Sequence, residues 1–174
     1  MDTNVLVAAL RSRQGASYAL LQRVDTGRFE HVVSVPLVME WESVLSRPAM
    51  VPLSEPQVQD VIDYLCATAI RQNIHFLWRP RLPDPHDDMV LEAAVNGACD
   101  TVVTHNARAF AEQEGVSVNQ LIATALAEKL ATLGAEAYLA KRAARGTRSR
   151  FDAALAQVPD VEAAAGDQLP AARG

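Results

Sequence analysis

The stretch Asp2-Thr3-Asn4-Val5-Leu6-Val7 opens the chain and sets a carboxylate and an amide directly before an apolar run. A second stretch, Val102-Val103-Thr104-His105-Asn106, ends a β-rich apolar run with an amide. If Asp2 and Asn106 stand at the ends of parallel strands, they meet at one edge of a sheet. Both can equally cap helices, because short polar side chains accept hydrogen bonds from a first helical turn.

Helical and strand patterns alternate between these two stretches. Helices are predicted at 16–24, 36–47, 54–70 and 85–97, with a Ser54–Gln57 capping box at the start of the third. Short β-rich runs predict strands at 29–35, 74–78 and 101–104. Strands separated by helices indicate an α/β fold, with a parallel sheet and helices on both of its faces.

The composition is that of an ordinary soluble globular protein, with 49% hydrophobic and 21% charged residues in a chain of 174. No apolar run approaches the roughly 20 residues of a membrane span. Asp2 follows Met1 directly, without a basic and apolar leader. We therefore expect a cytoplasmic protein that does not contact the membrane.

The net charge of −5 lies in the first part of the chain, where residues 1–113 hold 14 Asp and Glu against 9 Lys and Arg. Proteins that hold nucleic acid mainly through phosphate contacts are usually basic overall. Any nucleic acid must therefore be engaged here through a metal and a local groove. An acidic first part suits a site that concentrates carboxylates.

Acids and amides stand at four places where a plain fold does not need them: Asp2, Glu40, the pair Asp87 and Asp88, and Asn106. Each has a structural explanation as a helix cap, a charge at a helix N-terminus or a solvated surface group. As a set they are the oxygen ligands that Mg²⁺ or Mn²⁺ prefers. Clustered carboxylates repel one another without a cation, so convergence would itself imply a metal.

Two histidines raise the alternative of zinc. A zinc site needs three or four converging nitrogen or sulfur ligands. His86 and His105, even with the carboxylates, match no such spacing. We interpret both as loop or cap residues, with His105 placed to approach a substrate.

The four places resemble the motifs of the PIN-domain toxins, over roughly residues 2–110. The matching stretches are 2–7, 32–34 followed by 40–48, 84–88 with 91–94, and 102–106. The resemblance implies a three-layer α/β/α domain and a metal-dependent endoribonuclease, typically the toxin of a toxin–antitoxin pair. It also implies Mg²⁺ or Mn²⁺ as cofactor and RNA as substrate.

Carried over residue by residue, the resemblance makes Asp2, Glu40 and Asp88 the metal-binding acids. Asp87 is their neighbour, either as a further ligand or as an outer-shell group, and Asn106 completes the catalytic set where many family members have a fourth aspartate. An amide oxygen can ligate but brings no charge, so it implies weaker metal binding. Thr104 would orient a water or an acid.

The start of the chain departs from the family pattern. PIN domains place their first acid at the end of a central strand, whereas only Met1 precedes Asp2. Either this strand is truncated and the site impaired, or the true start lies upstream. The second hypothesis requires an in-frame extension of about five apolar residues.

The later part of the chain departs as well. Residues 109–122, continued by 125–133 and the tail to about 159, resemble the helices of a ribbon-helix-helix antitoxin. This divides the chain into a PIN-like domain at 1–113, an antitoxin-like helical segment at 114–160 and a disordered tail at 161–174. No strand for a DNA-reading ribbon is visible, which argues against DNA binding. Dimerisation through Leu121, Ile122 and Leu126 is the expectation, and a simple amphipathic extension is the alternative.

A basic run in the tail has three interpretations. Its members are Lys141, Arg142, Arg145, Arg148 and Arg150. They can form a solvated helix face, contact RNA, or reach into the acidic site as an antitoxin would. The antitoxin partner is then either a separate protein or this tail. The alternative function is a catalytically impaired or self-inhibited regulatory module.

Overall fold

A computed structural model describes residues 1–74, 87–106 and 137–169. Its helices are α1 Thr3–Arg11, α2 Ala16–Leu21, α3 Val35–Leu45, α4 Glu55–Thr68, α5 Asp88–Asn96, α6 at residues 137–143 and α7 Arg148–Leu155. The strands are β1 Val32–Val33 and β2 Ile70–Arg71, and a 3₁₀ turn covers Ala165–Asp167. The antitoxin-like stretch 109–133, His86 and most of the strand predicted at 74–78 lie outside the described residues. In the described ranges, no helix combines the length and apolar character needed to cross a bilayer.

Helix α1 begins directly at the first carboxylate. Asp2 is its N-cap and has extended backbone angles, φ −76° and ψ 154°. Ala9 follows Val5 by four residues and Leu6 by three, and all three are buried as one apolar stripe. Arg11 stands in the last turn, where its charge favours the negative end of the helix dipole.

The sheet is parallel, as predicted, but shorter. Strand β1 pairs with β2 through Val32 with Ile70 and Val33 with Arg71, and this two-stranded sheet is the one that the described residues form. Helix α4 carries the predicted capping box, with Ser54 N donating to Gln57 Oε1 at 2.8 Å. The helix ends at Thr68, earlier than predicted, because Ala69 turns extended and feeds β2.

The strand predicted at 101–104 is not present as a strand. In the described part of the chain, the backbone bond that ties this stretch to α1 runs from Asp2 N to Val103 O, at 2.9 Å. A strand needs a repeating ladder of such bonds, and one bond does not make it. The stretch still reaches the start of α1, which brings Thr104 to Asp2.

The helices share one hydrophobic core with the C-terminal part of the chain. Trp41 of α3 is fully buried at its centre, and so is Phe151 of α7. The Phe151 ring stacks on Tyr64 of α4 with centroids 4.5 Å apart. Leu139 of α6 is buried in the same cluster. Residues 137–158, which we call the C-terminal cover, therefore pack within this core, with α7 against α4.

The basic run is used for this packing. Arg142 is 3% exposed and pairs with Glu42 and Asp63. Arg145 Nε lies 2.9 Å from Asp63 Oδ2, and Arg148 Nε lies 3.0 Å from Asp152. Arg150 is 3.9 Å from an Asp60 carboxylate oxygen, and Lys141 is exposed. None of the four arginines reaches into the acidic site, so that interpretation is wrong; their partners are acids of α3, α4 and α7.

The expected disorder at 161–174 does not hold for residues 161–169. This segment, which we call the C-terminal strap, runs beside α1 and α2 together with Pro159. Arg13 N donates to Pro159 O at 3.0 Å, and Gly15 forms an antiparallel bridge with Gln168. Asp167 is 3% exposed because Ser17 holds its carboxylate. A polar composition suggested disorder, but specific hydrogen bonds order the segment.

Candidate active site

Asp2 is fixed from two sides at the start of α1. It is 4% exposed, its N–H donates to Val103 O, and its Oδ2 accepts a hydrogen bond from Thr104 Oγ1 at 2.5 Å. No side-chain capping bond holds the carboxylate to its own helix. Thr104 therefore sets its orientation, the role expected from the resemblance.

Thr104 is the centre of a small polar network. Its Oγ1 accepts from Asn4 Nδ2 at 3.3 Å and from Asn106 N at 2.9 Å. Asn4 Oδ1 in turn accepts from His105 N at 3.1 Å. These bonds tie the first turn of α1 to residues 104–106 and place Asn106 next to Asp2.

Asp87 and Asp88 take different places at the start of α5. Asp87 is the N-cap residue, 8% exposed, and its Oδ2 accepts from Asn106 Nδ2 at 2.9 Å. Asp88 is fully buried, and so is Glu92 one turn further along the same face. Acidic side chains are almost never fully buried without partners. Asp87 thus contacts Asn106, and Asp88 is fully buried next to it in the first turn of α5.

One cavity of about 830 Å³ collects most of the predicted site residues. Its lining includes Asp2, Glu40, Asp87 and Asn106, contributed by α1, α3, α5 and the segment after residue 103. Glu40 is half-buried on α3. Asp88 is not among the lining side chains.

The donor set of this cavity is made of oxygen atoms. Three carboxylates and the Asn106 amide oxygen are hard ligands of the kind that Mg²⁺ and Mn²⁺ take. Within the described ranges, no three acidic, histidine or cysteine side chains form a metal-holding group by themselves. Mg²⁺ is usually held by one or two carboxylates with waters in the remaining positions. The residues present fit a hydrated divalent cation.

The C-terminal strap forms one wall of the same cavity. Val161, Glu162, Ala163, Ala164 and Asp167 all line it. Asp167 Oδ1 accepts from Ser17 N at 2.7 Å and from Ser17 Oγ at 2.5 Å. His105 Nε2 lies 3.0 Å from Ser17 Oγ and 3.6 Å from Asp167 Oδ1. His105 therefore touches the strap, through a contact that its sequence position did not indicate.

A parallel sheet with helices that bring acidic side chains to one cavity places the described residues in the α/β class. The PIN domain family matches residues 1–108, which is more than half of the chain. The chain belongs to the PIN-domain family, whose members are typically metal-dependent nucleases that use Mg²⁺ or Mn²⁺. No curated protein and no solved structure matches the chain.

Several residues at the site were not singled out from the sequence. Glu92 follows Asp88 by four positions, and that spacing on a helix was the available signal for a second buried acid on one face. Arg11 also lines the cavity, but it belongs to none of the sequence motifs. Ser17 and Asp167 are 150 residues apart, and no local pattern could join them.

Proposed function

We propose that this chain is a divalent-metal-dependent endoribonuclease and the toxin of a toxin–antitoxin pair, acting in the cytoplasm. The observation that supports this most is the shared cavity, which is lined by Asp2, Glu40, Asp87 and Asn106. Membership of the PIN-domain family supports the nuclease part. Asp88, fully buried in the first turn of α5, is the fourth acid of the proposed metal-binding set.

The proposed roles follow from the contacts. Asp2, Glu40 and Asp87 would bind the cation directly, and Asn106 would hold Asp87 through the Nδ2–Oδ2 bond of 2.9 Å while offering its own oxygen. Thr104 keeps Asp2 Oδ2 in position through its hydroxyl. A cation held by these residues would lower the pKa of a bound water and offset the charge that develops on the phosphate.

The test is RNA cleavage by purified protein with Mg²⁺ or Mn²⁺. Asp2→Asn and Asp87→Asn should each lower the cleavage rate at least about 100-fold, the effect of losing a group that stabilises a transition state. Asp88→Asn tests whether the buried neighbour of Asp87 also contributes to the cleavage rate. Asp100→Asn is the matched control, because Asp100 is an exposed acid that does not line this cavity.

Two results would reject the proposal. The first is cleavage that persists in EDTA, and the second is an equal rate for Asp87→Asn and the Asp100→Asn control. Circular dichroism melting must accompany each variant, because Asp88 is fully buried and its replacement can unfold the chain. The toxin role is tested separately, by growth arrest on expression and its relief by Asp87→Asn.

A second candidate, a self-inhibited regulatory module, is favoured by the C-terminal strap. Its residues form a wall of the cavity, and Glu162 and Asp167 add two further negative charges there. Those charges oppose the approach of RNA phosphates. In such a self-inhibited module, the strap is the inhibitory segment. This inhibition does not require the antitoxin-like stretch at 109–133.

Removal of the strap separates the two candidates. A chain ending at Val158 keeps the core residues Phe151, Leu155 and Val158 and loses the strap. A self-inhibited module predicts that this shortened chain cleaves RNA faster than the full chain. An unchanged rate would mean that the strap is a structural wall of the cavity and does not inhibit cleavage. Absence of activity in both chains would support an impaired site.

A further inference from the structure

The carboxylate cavity contains one positive charge. Among the described residues that line it, Arg11 is the only cation, against the five acids Asp2, Glu40, Asp87, Glu162 and Asp167. Arg11 is exposed at the end of α1. A cation inside an acidic cavity normally neutralises one of its acids, so its actual contacts matter.

Arg11 is held by a backbone turn and not by an acid. Its Nε donates to Met50 O at 2.7 Å, and Nη2 lies 3.3 Å from Met50 Sδ. The turn is fixed by Met50 N donating to Arg47 O at 3.0 Å and by Ala49, whose φ of 59° is rare for a residue with a side chain. In the part of the chain that the structure describes, Arg11 forms no ion pair. Its charge is therefore positioned but not neutralised.

Arg11 and the Asp2 carboxylate lie at opposite ends of α1. Arg11 follows the N-cap Asp2 by nine positions, which is about 13 Å along a helix axis. One phosphate bound through a metal at Asp2 does not span that length. The cavity runs along this face of α1, because Asn4, Val7 and Ala8 also line it.

We propose that Arg11 binds a second phosphate of a single-stranded RNA whose scissile phosphate lies at the Asp2 end of the cavity. The inference rests on the proposed nuclease function and names how that site holds its substrate. A guanidinium presents a planar fork of donors that fits phosphate oxygens. Contacts to the phosphate backbone carry no base information, so Arg11 positions the strand without selecting its sequence.

The experiment measures binding apart from cleavage. A fluorescently labelled oligouridylate is titrated with full-length protein in EDTA, at salt concentrations from about 50 to 200 mM. Each phosphate contact to a single strand contributes about 0.7 to the slope of log affinity against log salt. Arg11→Gln should lower that slope by about 0.7 and weaken binding up to about fivefold at the lowest salt. Arg11→Lys keeps the charge and should keep the slope.

The matched control is Arg23→Gln. Arg23 is also exposed and also donates to a backbone carbonyl, Ala19 O, but it does not line the cavity. Its slope should equal that of the unchanged protein. Where the protein cleaves, Arg11→Gln should raise KM and leave kcat unchanged on the oligonucleotide. For a dinucleotide, which has a single phosphate, Arg11→Gln should leave KM unchanged.

Three outcomes would overturn the inference. They are an unchanged slope in Arg11→Gln, an equal loss in Arg23→Gln, and no RNA binding by the unchanged protein. Failure of the nuclease proposal looks different, because RNA would still bind with the Arg11-dependent slope while no metal gave cleavage. Binding and cleavage therefore report on the two proposals separately.

Discussion

Thr104 donates a hydrogen bond to Asp2 across 102 residues of sequence, with its hydroxyl oxygen 2.5 Å from Oδ2. The same oxygen accepts from Asn106 N, so one hydroxyl links the first acid to the last residue of the site. The orientation of a metal-binding carboxylate depends on such neighbours. The contact makes Thr104 the first residue to test.

Thr104→Val keeps the shape of the side chain and removes the hydroxyl. We expect RNA cleavage to fall about 10- to 100-fold, because the Asp2 carboxylate loses its orienting donor. The free energy of unfolding should fall by only about 1 kcal/mol, the usual contribution of one hydrogen bond. Thr104→Ser restores the hydroxyl and should restore most of the activity. Full activity in the valine variant would contradict the assignment.

The C-terminal cover should depend on Asp63. Its carboxylate is 5% exposed and faces both Arg142, with Nε at 3.2 Å, and Arg145. Asp63→Asn leaves the buried Arg142 with Glu42 as its remaining charged partner. Removing one member of a buried ion pair costs about 3 kcal/mol, and urea unfolding measures this loss.

Asp152→Asn is the control for that substitution. Asp152 pairs with Arg148 one helical turn away, and both side chains are about half exposed. Exposed pairs of this kind contribute less than about 1 kcal/mol. If Asp63→Asn and Asp152→Asn shift the unfolding midpoint equally, the buried network does not hold the cover.

Stability should also depend on the protonation of His31. Burial lowers the pKa of this histidine below its ordinary value of 6.5, and the nearby Met1 amine acts in the same direction. The hydrogen bond between Nε2 and Leu65 O, at 3.0 Å, opposes the shift without reversing it. The neutral form is therefore the one that the fold accommodates.

The sign of the pH effect follows from that direction. Below pH 6.5 the unfolded chain binds a proton at His31 while the folded chain still resists it, so the free energy of unfolding falls as the pH falls. Above pH 6.5 neither state is protonated and the contribution is constant. Urea unfolding on both sides of pH 6.5 should show this slope, and His31→Gln should flatten it. If the free energy of unfolding depends on pH in the same way in both proteins, groups other than His31 cause the slope.

Gly15→Ala should displace the C-terminal strap. A Cβ at Gly15 would stand 2.0 Å from Asp167 Oδ2, although the Gly15 φ of −83° suits alanine. We expect faster proteolysis after residue 160 and, if the strap inhibits, faster RNA cleavage. Gly166→Ala is the control in the same segment, because nothing lies within 4 Å of its added Cβ. Equal proteolysis of both variants would mean that Asp167 does not anchor the strap.

The sequence patterns correctly predicted those elements that depend on contacts between residues close in the sequence. The Ser54–Gln57 capping box and the helix behind it are set by neighbouring residues, and they were found at that place. Strand ends were less predictable, because the pairing that places Ile70 in the sheet is made with Val32, which is distant in the sequence. The stretch at 101–104 carries a strand composition but makes no ladder.

The site was predictable in its residue types more than in its geometry. Asp2, Glu40, Asp87 and Asn106 line one cavity, while their role in binding a metal stays a prediction made from the resemblance. No sequence pattern distinguishes Asp87, which lines the cavity, from Asp88, which does not, because adjacent residues at a helix start differ only in side-chain direction. The wall formed by Asp167 depends on a contact over 150 residues.

That contact also sets an order of events during protein synthesis. Asp2, Glu40, Asp87 and Asn106 have all been made once residue 106 is added, whereas Asp167 follows 61 residues later. At about 5 to 20 residues per second, this gap lasts about 3 to 12 s. A nascent chain on the ribosome therefore carries Asp2, Glu40 and Asp87 before it has the strap that forms a wall of their cavity, with messenger RNA close by.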